Sequence, residues 1–569
     1  MNMACTDNVA SESYAEFIAR YPLSPQEFIT RTGTECVDFV SQHFAVIYTA
    51  LRDLKPLAFS SYTYAAVPKL YSLLDSTSME SSGILPASRL PALGNQGAGV
   101  IIGFVDTGID YQNPLFRNPD GTSRILGIWD QTHGSGNVVP GNSFRSLYGT
   151  QYPQEAINAA LSSDDPLSVV PSTDEIGHGT FLASVAAGGE DEEADFTGAA
   201  SQADIAVVKL KPAKQYLRDF YLIRQDADAY QENDIMMGVT YLLSLARQYN
   251  KPLVVCLGVG TNQGGQVGNL PLSAFLDEIS SYIGTVLVTA AGNETGFGHH
   301  YRGATEPGDT IQSVELNVGE NDAGFSMELW AQNVEVYRVG FTSPTGEVVS
   351  PLPPRTGEEN VLRFLLEPTE ITVYTNFSIG TAGSQMVFIR FKNPMPGIWN
   401  LSVAGTLDLR GTFHIWLPSS GFISDDTFFL RPDPDTTITD PGNSPNLLTV
   451  TAYDHVHGGI YIHSSRGFNR IGQIKPDFAA PGVNVQGAGL NSTFTRMTGT
   501  SSAAAHAAGA AAILLHWGVI QGNNFFMNTS SVKTYLIRGA KRNPALTYPN
   551  REFGYGTLDL YEAFLRLRP

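Results

Sequence analysis

Continuous apolar runs recur along this chain and limit its possible folds more than any other feature. Val100-Ile101-Ile102-Gly103-Phe104-Val105 is the first, and residues 205–210, 253–257, 285–289 and 447–451 repeat the pattern. Runs without polar alternation are strands buried on both faces. Helix-forming stretches lie between several of them, at 235–247 and 271–282. Apolar strands alternating with helices define an α/β fold, a parallel sheet sandwiched by helices. In such sheets chemistry gathers at the carboxyl ends of the strands.

Two segments break this pattern. Residues 1–76 read as a small α+β unit. Ser24-Pro25-Gln26-Glu27 is a capping box with proline at the first helical position, and the helix should stop at Gly33. Residues 44–49 and 67–74 read as strands, and 75–82 as a small, polar linker. Residues 305–437 alternate instead, as in Val314/Leu316/Val318, Phe325/Met327/Leu329, Val334/Val336 and Phe413/Ile415, with turn clusters between. That is antiparallel β, a sandwich or jelly roll, inserted between α/β segments 77–304 and 438–569.

A chain of 569 residues needs two or three domains. Its net charge of −20 disfavours nucleic acid and anionic membranes as partners. Three cysteines argue against a disulfide framework and fit a reducing compartment. The first residues have no basic start and no apolar core, so synthesis in the cytoplasm without a signal peptide is expected. No window is expected to reach the length of a membrane span. Glu190-Asp191-Glu192-Glu193-Ala194-Asp195 reads as a solvated loop, with a cation site as the lesser alternative.

Four short blocks carry the chemistry. Asp106 ends the first buried strand. His178 lies in Gly177-His178-Gly179-Thr180. Asn293 follows another strand, in Ala291-Gly292-Asn293. Ser501 follows Gly499-Thr500 and opens the alanine-rich residues 503–515, which read as a buried helix. Each block alone is common in structural roles; Ser501 alone reads as a helix cap. Together they have a mechanism. His178 can take the proton of Ser501, and Asp106 can fix the imidazole tautomer. Asn293 and the backbone N–H of Ser501 can form the oxyanion hole.

These blocks resemble the subtilases, the subtilisin-like serine peptidases. Asp106-Thr107-Gly108, Gly177-His178-Gly179-Thr180, Ala291-Gly292-Asn293 and Gly499-Thr500-Ser501 match the family's motifs in order, with Lys475-Pro476-Asp477 and Ala480-Pro481-Gly482 before the serine. The order Asp…His…Ser is that of subtilisin. Two departures are Ser502 and Ala505, where the family usually has methionine and proline. The resemblance covers roughly residues 85–300 and 440–569. It implies an endopeptidase acting on protein substrates without a cofactor. Cys256, Leu257 and Gly258 sit where the family's strand pairs with the peptide, and Ala291 and Gly292 line the neighbouring wall.

A narrower resemblance rests on Ile125-Leu126-Gly127-Ile128-Trp129-Asp130-Gln131-Thr132, Lys209-Leu210-Lys211-Pro212-Ala213-Lys214 and Gly260-Thr261-Asn262-Gln263-Gly264. These are similar to the clostridial Csp-type subtilases, known from spore germination. That resemblance implies that residues 1–76 are a prodomain and intramolecular chaperone. It also implies self-cleavage near Ser76-Thr77, with the prodomain's tail left in the substrate groove. Some of that group have lost triad residues and act as sensors. This chain keeps all three and reads as active, the alternative being a self-processed regulatory or binding protein. His506 reads as structural. His299, His300, His455, His457 and His463 have no spacing of a closed zinc site, so no metal is expected.

Overall fold

The computed structural model describes residues 11–73 except 23 and 35, and 96–567 except 135, 138, 140, 309–310, 333–335, 380–382 and 408, together with 9, 82 and 84. Eight strands form the central sheet. From one edge they are Phe478–Pro481, Leu448–Tyr453, Thr285–Ala290, Leu253–Leu257, Ile101–Asp106, Asp204–Lys209, Ile125–Asp130 and Thr150–Pro153. Neighbours are parallel throughout, except that Thr150–Pro153 runs against Ile125–Asp130. Side chains alternate between the faces of a strand. Ile102 and Phe104 therefore pack with the helices His178–Ala187 and Thr500–Leu515, while Ile101 and Val105 pack with Glu232–Tyr249 and Pro271–Ile279. Burial on both faces is why these runs lack polar alternation.

Every residue of Thr500–Leu515 is buried. One expectation is corrected here. The segment Thr500–Ile520 is long and apolar enough, by length and composition, to cross a membrane. Most of it is enclosed by the sheet and its flanking helices, as a core helix must be.

The N-terminal unit is a three-stranded antiparallel sheet with Phe44–Ala50 between Tyr14–Arg20 and Val37–Phe39. Its helix, Pro25–Thr32, has the capping box of Ser24 and Glu27 and ends at Gly33, where φ is 68°. The unit docks on Glu232–Tyr249 and Pro271–Ile279. Phe44 meets Phe275 edge-on with centroids 6.2 Å apart, and the Thr240 hydroxyl donates to Val40 O at 2.9 Å. Beside this contact lies a buried charge cluster. Glu16 stands 2.9 Å from Lys214 and 3.7 Å from Lys211, which reaches Asp234 at 2.6 Å. Asp38 accepts from Tyr48 Oη at 3.0 Å, and burial pushes its carboxyl up to about 7. Cys36 is disulfide-bonded, unlike the free and buried Cys256, so the cysteines are not all unpaired.

The insertion is a sandwich of two antiparallel sheets. One has the strands His300–Thr305, Gly411–Trp416, Gly324–Gln332, Ser384–Lys392, Glu370–Ile379 and Glu359–Arg363 in that order. The other has Val348–Val349, Tyr337–Thr342, Gly397–Gly405, Gln312–Val318 and Phe428–Phe429. Its strands thus run from His300 to Phe429 rather than over 305–437. His300–Thr305 pairs fully with Gly411–Trp416, but its buried His300 and exposed Arg302 hide the alternation from a hydropathy reading.

Candidate active site

Asp106 is the last residue of its strand and His178 the first of its helix. Both are buried, and His178 Nδ1 lies 2.7 Å from Asp106 Oδ1. The Thr107 N–H donates to the same oxygen at 2.8 Å. A carboxylate can only accept, so Nδ1 carries the shared proton and Nε2 is left basic. The turn before the helix is fixed by Asp174, which accepts from the N–H groups of Gly177 and Thr180 at 2.7 and 2.9 Å and from the Thr180 hydroxyl at 2.7 Å. Sequence reasoning missed Asp174. Its position just before a helix start is a capping signal that could have found it.

Ser501 is the second residue of its helix and fully buried. Its hydroxyl donates to Gly258 O at 3.2 Å. Gly258 also packs against the other two side chains. A Cβ there would stand 2.7 Å from Leu182 Cδ1, 2.9 Å from His178 Cε1 and 3.1 Å from Asp106 Oδ2. Glycine is therefore required by close approach, and it gathers Asp106, His178 and Ser501 around one backbone unit.

Asn293 Oδ1 accepts from the Thr500 N–H at 3.0 Å. That bond assigns the amide orientation and turns Nδ2 away from Thr500. Thr500 Oγ1 in turn accepts from the Gly292 N–H at 3.1 Å. Gly292 has φ of 100°, and a Cβ would fall 2.7 Å from Thr439. Ala291 is fixed by donation of its N–H to Val450 O at 2.9 Å. The first-turn N–H of Ser501 and the Asn293 amide are donors of the kind that stabilise a developing oxyanion.

The chain positions that would face the expected peptide-pairing residues Cys256, Leu257 and Gly258 lie outside the described residues. Cys256 and Leu257 point into the two cores, and burial pushes the Cys256 thiol up. The described pairing falls on the next residues. Leu70–Leu73 runs antiparallel to Val259–Gly260, with Leu73 opposite Val259 and Ser72 opposite Gly260. Its other edge pairs with Tyr230–Gln231. Gln263 Oε1 accepts from the Leu70 N–H at 3.0 Å and Glu232 Oε2 from the Lys69 N–H at 3.1 Å. Val259, Tyr230, Gln231 and Glu232 were not singled out from sequence, and Gly260 and Gln263 only as part of a resemblance, because only the folded chain brings them to one strand. Ser76 and Thr77 lie outside the described residues.

His506 is fully buried, its Nδ1 donates to Ser502 O at 2.8 Å, and burial lowers its pKa to about 3. It is a neutral core group. His300 and His414 share a 2.9 Å hydrogen bond inside the sandwich, and burial holds His300 near 4. Among the described residues no group of three or more His, Cys, Asp or Glu is arranged to hold a metal ion.

An imidazole bonded to a buried carboxylate, gathered with a helix-terminal serine around Gly258, supports nucleophilic acyl transfer, and a parallel α/β sheet carrying that chemistry defines an α/β serine hydrolase. More narrowly, the chain belongs to the subtilase family, which it matches over residues 97–321 and 425–556. Subtilases are serine endopeptidases. The CspB protease of Clostridium perfringens is similar in structure, with a TM-score of 0.76 and 29% identity, covering 86% of this chain and 97% of that one. Among curated proteins, subtilisin-like protease SBT2.2 of Arabidopsis thaliana is 27% identical over 74% of this chain and 54% of its own length. The membrane-bound transcription factor site-1 protease of Mus musculus is 31% identical over 22% of this chain and 12% of its own. The chain thus spans about half the length of the first of these two curated relatives and a smaller share of the second.

Proposed function

We propose that this chain is a serine endopeptidase that first cleaves its own N-terminal segment and then acts on a protein substrate. His178, held by Asp106, takes the Ser501 proton as Oγ attacks the scissile carbonyl. The amide of Asn293 and the N–H of Ser501 receive the oxyanion. His178 returns the proton to the leaving amine, and water then releases the acyl group by the same route. The observation that carries this reading is the strand Leu70–Leu73. It lies in the peptide-pairing slot, and its register carries the chain from Gly260 to Val259. The next residue, Gly258, is the one whose carbonyl holds Ser501. A cut within a few residues after Leu73 follows, and Ser76–Thr77 is the bond proposed. The Csp-type resemblance supports a spore-associated role, activation of a germination zymogen.

Intact masses of the wild type and Ser501→Ala test this. The expected result is a wild type split near Ser76 and a mutant that stays whole. Two whole chains would refute the reading. Equal cutting of both would assign the processing to another protease.

A further inference from the structure

Glu294 follows Asn293 directly, yet the two side chains have opposite settings. Asn293 is half-buried, whereas Glu294 is 2% exposed. The Glu294 carboxylate accepts four hydrogen bonds. Asn262 Nδ2 at 2.8 Å and His299 Nδ1 at 2.9 Å reach Oε2, while the Ser420 N–H at 3.0 Å and hydroxyl at 2.8 Å reach Oε1. Its own N–H donates to Ser465 Oγ at 3.0 Å. Burial alone would raise its carboxyl, but the His299 contact and the Ser420 donors hold it below the ordinary range, so it is ionised. A buried carboxylate saturated by charge-assisted bonds is a rigid anchor.

The donors come from three places. Asn262 lies just beyond the peptide-pairing residues Val259–Gly260, and its N–H donates to Ser419 Oγ at 3.1 Å. His299 immediately precedes the first strand of the sandwich, and Ser419 and Ser420 follow its Gly411–Trp416 strand. One carboxylate therefore ties the loop that carries Asn293 to the substrate slot and to the inserted sandwich. Oxyanion donors work only when held within roughly 0.5 Å of the productive place. We infer that Glu294 is the positioning residue of the oxyanion hole, and that the inserted sandwich acts on catalysis through it. This rests on the acyl-transfer reading above. Glu294 touches no reacting atom; it works by fixing Asn293.

A double-mutant cycle on self-cleavage tests it. Rate constants are measured on the full chain for wild type, Glu294→Gln, Asn293→Ala and the pair. Glu294→Gln should slow cleavage about 10- to 100-fold. In the Asn293→Ala background the same change should cost less than about 2-fold, because the residue it positions is gone. Ser420→Ala, a milder change, should show the same dependence on Asn293 if Glu294→Gln does not fold. Equal losses in both backgrounds would overturn the inference while leaving the proposed activity intact. The rate of Ser501 labelling by a fluorophosphonate gives a second readout. A wild type that neither self-cleaves nor takes the label overturns the activity and the inference together.

Discussion

Gly258 shows how much a single residue decides. With a Cβ due 2.9 Å from the His178 ring and 3.1 Å from Asp106, alanine must displace the imidazole or the Ser501 acceptor. Gly258→Ala should slow self-cleavage about 100-fold, the scale of an ångström-sized misplacement. The same Cβ meets buried Leu182 at 2.7 Å, so the variant's unfolding temperature should also fall, by the equivalent of about 1–3 kcal/mol, which differential scanning fluorimetry would check. Asn293→Ala should cost about 10²- to 10³-fold in the same assay, the loss known for the equivalent donor in subtilisin. At this scale the sequence was most legible. Asp106, His178, Asn293 and Ser501 each sit in a short, distinctive block, so their convergence could be anticipated. Asp174 carried only a capping signal, and Glu294 could not be read that way at all. Its importance lies in contacts with Ser420 and His299, which the linear sequence does not announce.

Among the elements, the buried strands were legible because burial on both faces leaves an unbroken apolar run. The sandwich was legible as a type but not at its edges. His300–Thr305 buries a histidine and displays an arginine, so its periodicity is invisible to hydropathy. The strand Leu70–Leu73 was expected, but its placement between Val259–Gly260 and Tyr230–Gln231 depends on tertiary pairing. Tyr71, fully buried with Leu257 and Val259, anchors it from below. Tyr71→Ala should weaken retention of the cleaved fragment by about 3–5 kcal/mol, the usual cost of deleting a buried aromatic ring. Size-exclusion chromatography after processing would check this: the wild-type fragment should co-elute with the body of the protein and the variant's should separate.

Across the whole molecule, the N-terminal unit meets the rest through buried charge as well as apolar contact. Asp38 is raised from 3.8 to about 7 by burial, against the donors Tyr48 and Leu147, with Asp234 adding to the rise. A carboxyl raised in the folded state gives stability that is complete below its unfolded pKa and lost as pH climbs through the folded one. Asp38 should therefore weaken the assembled protein between pH 4 and 7. Asp38→Asn should reduce the fall in unfolding temperature between pH 5 and pH 8 relative to wild type, and an unchanged difference would exclude this role. The central place of Leu70–Leu73 in its small sheet has a further consequence. Under the proposed self-cleavage, the first product would also be the nearest competitor, bound along both edges and no longer covalently held. Onset of activity on other proteins then becomes a question of mass action. Dilution, or a partner that captures the free fragment, should switch the enzyme on without any further chemical step.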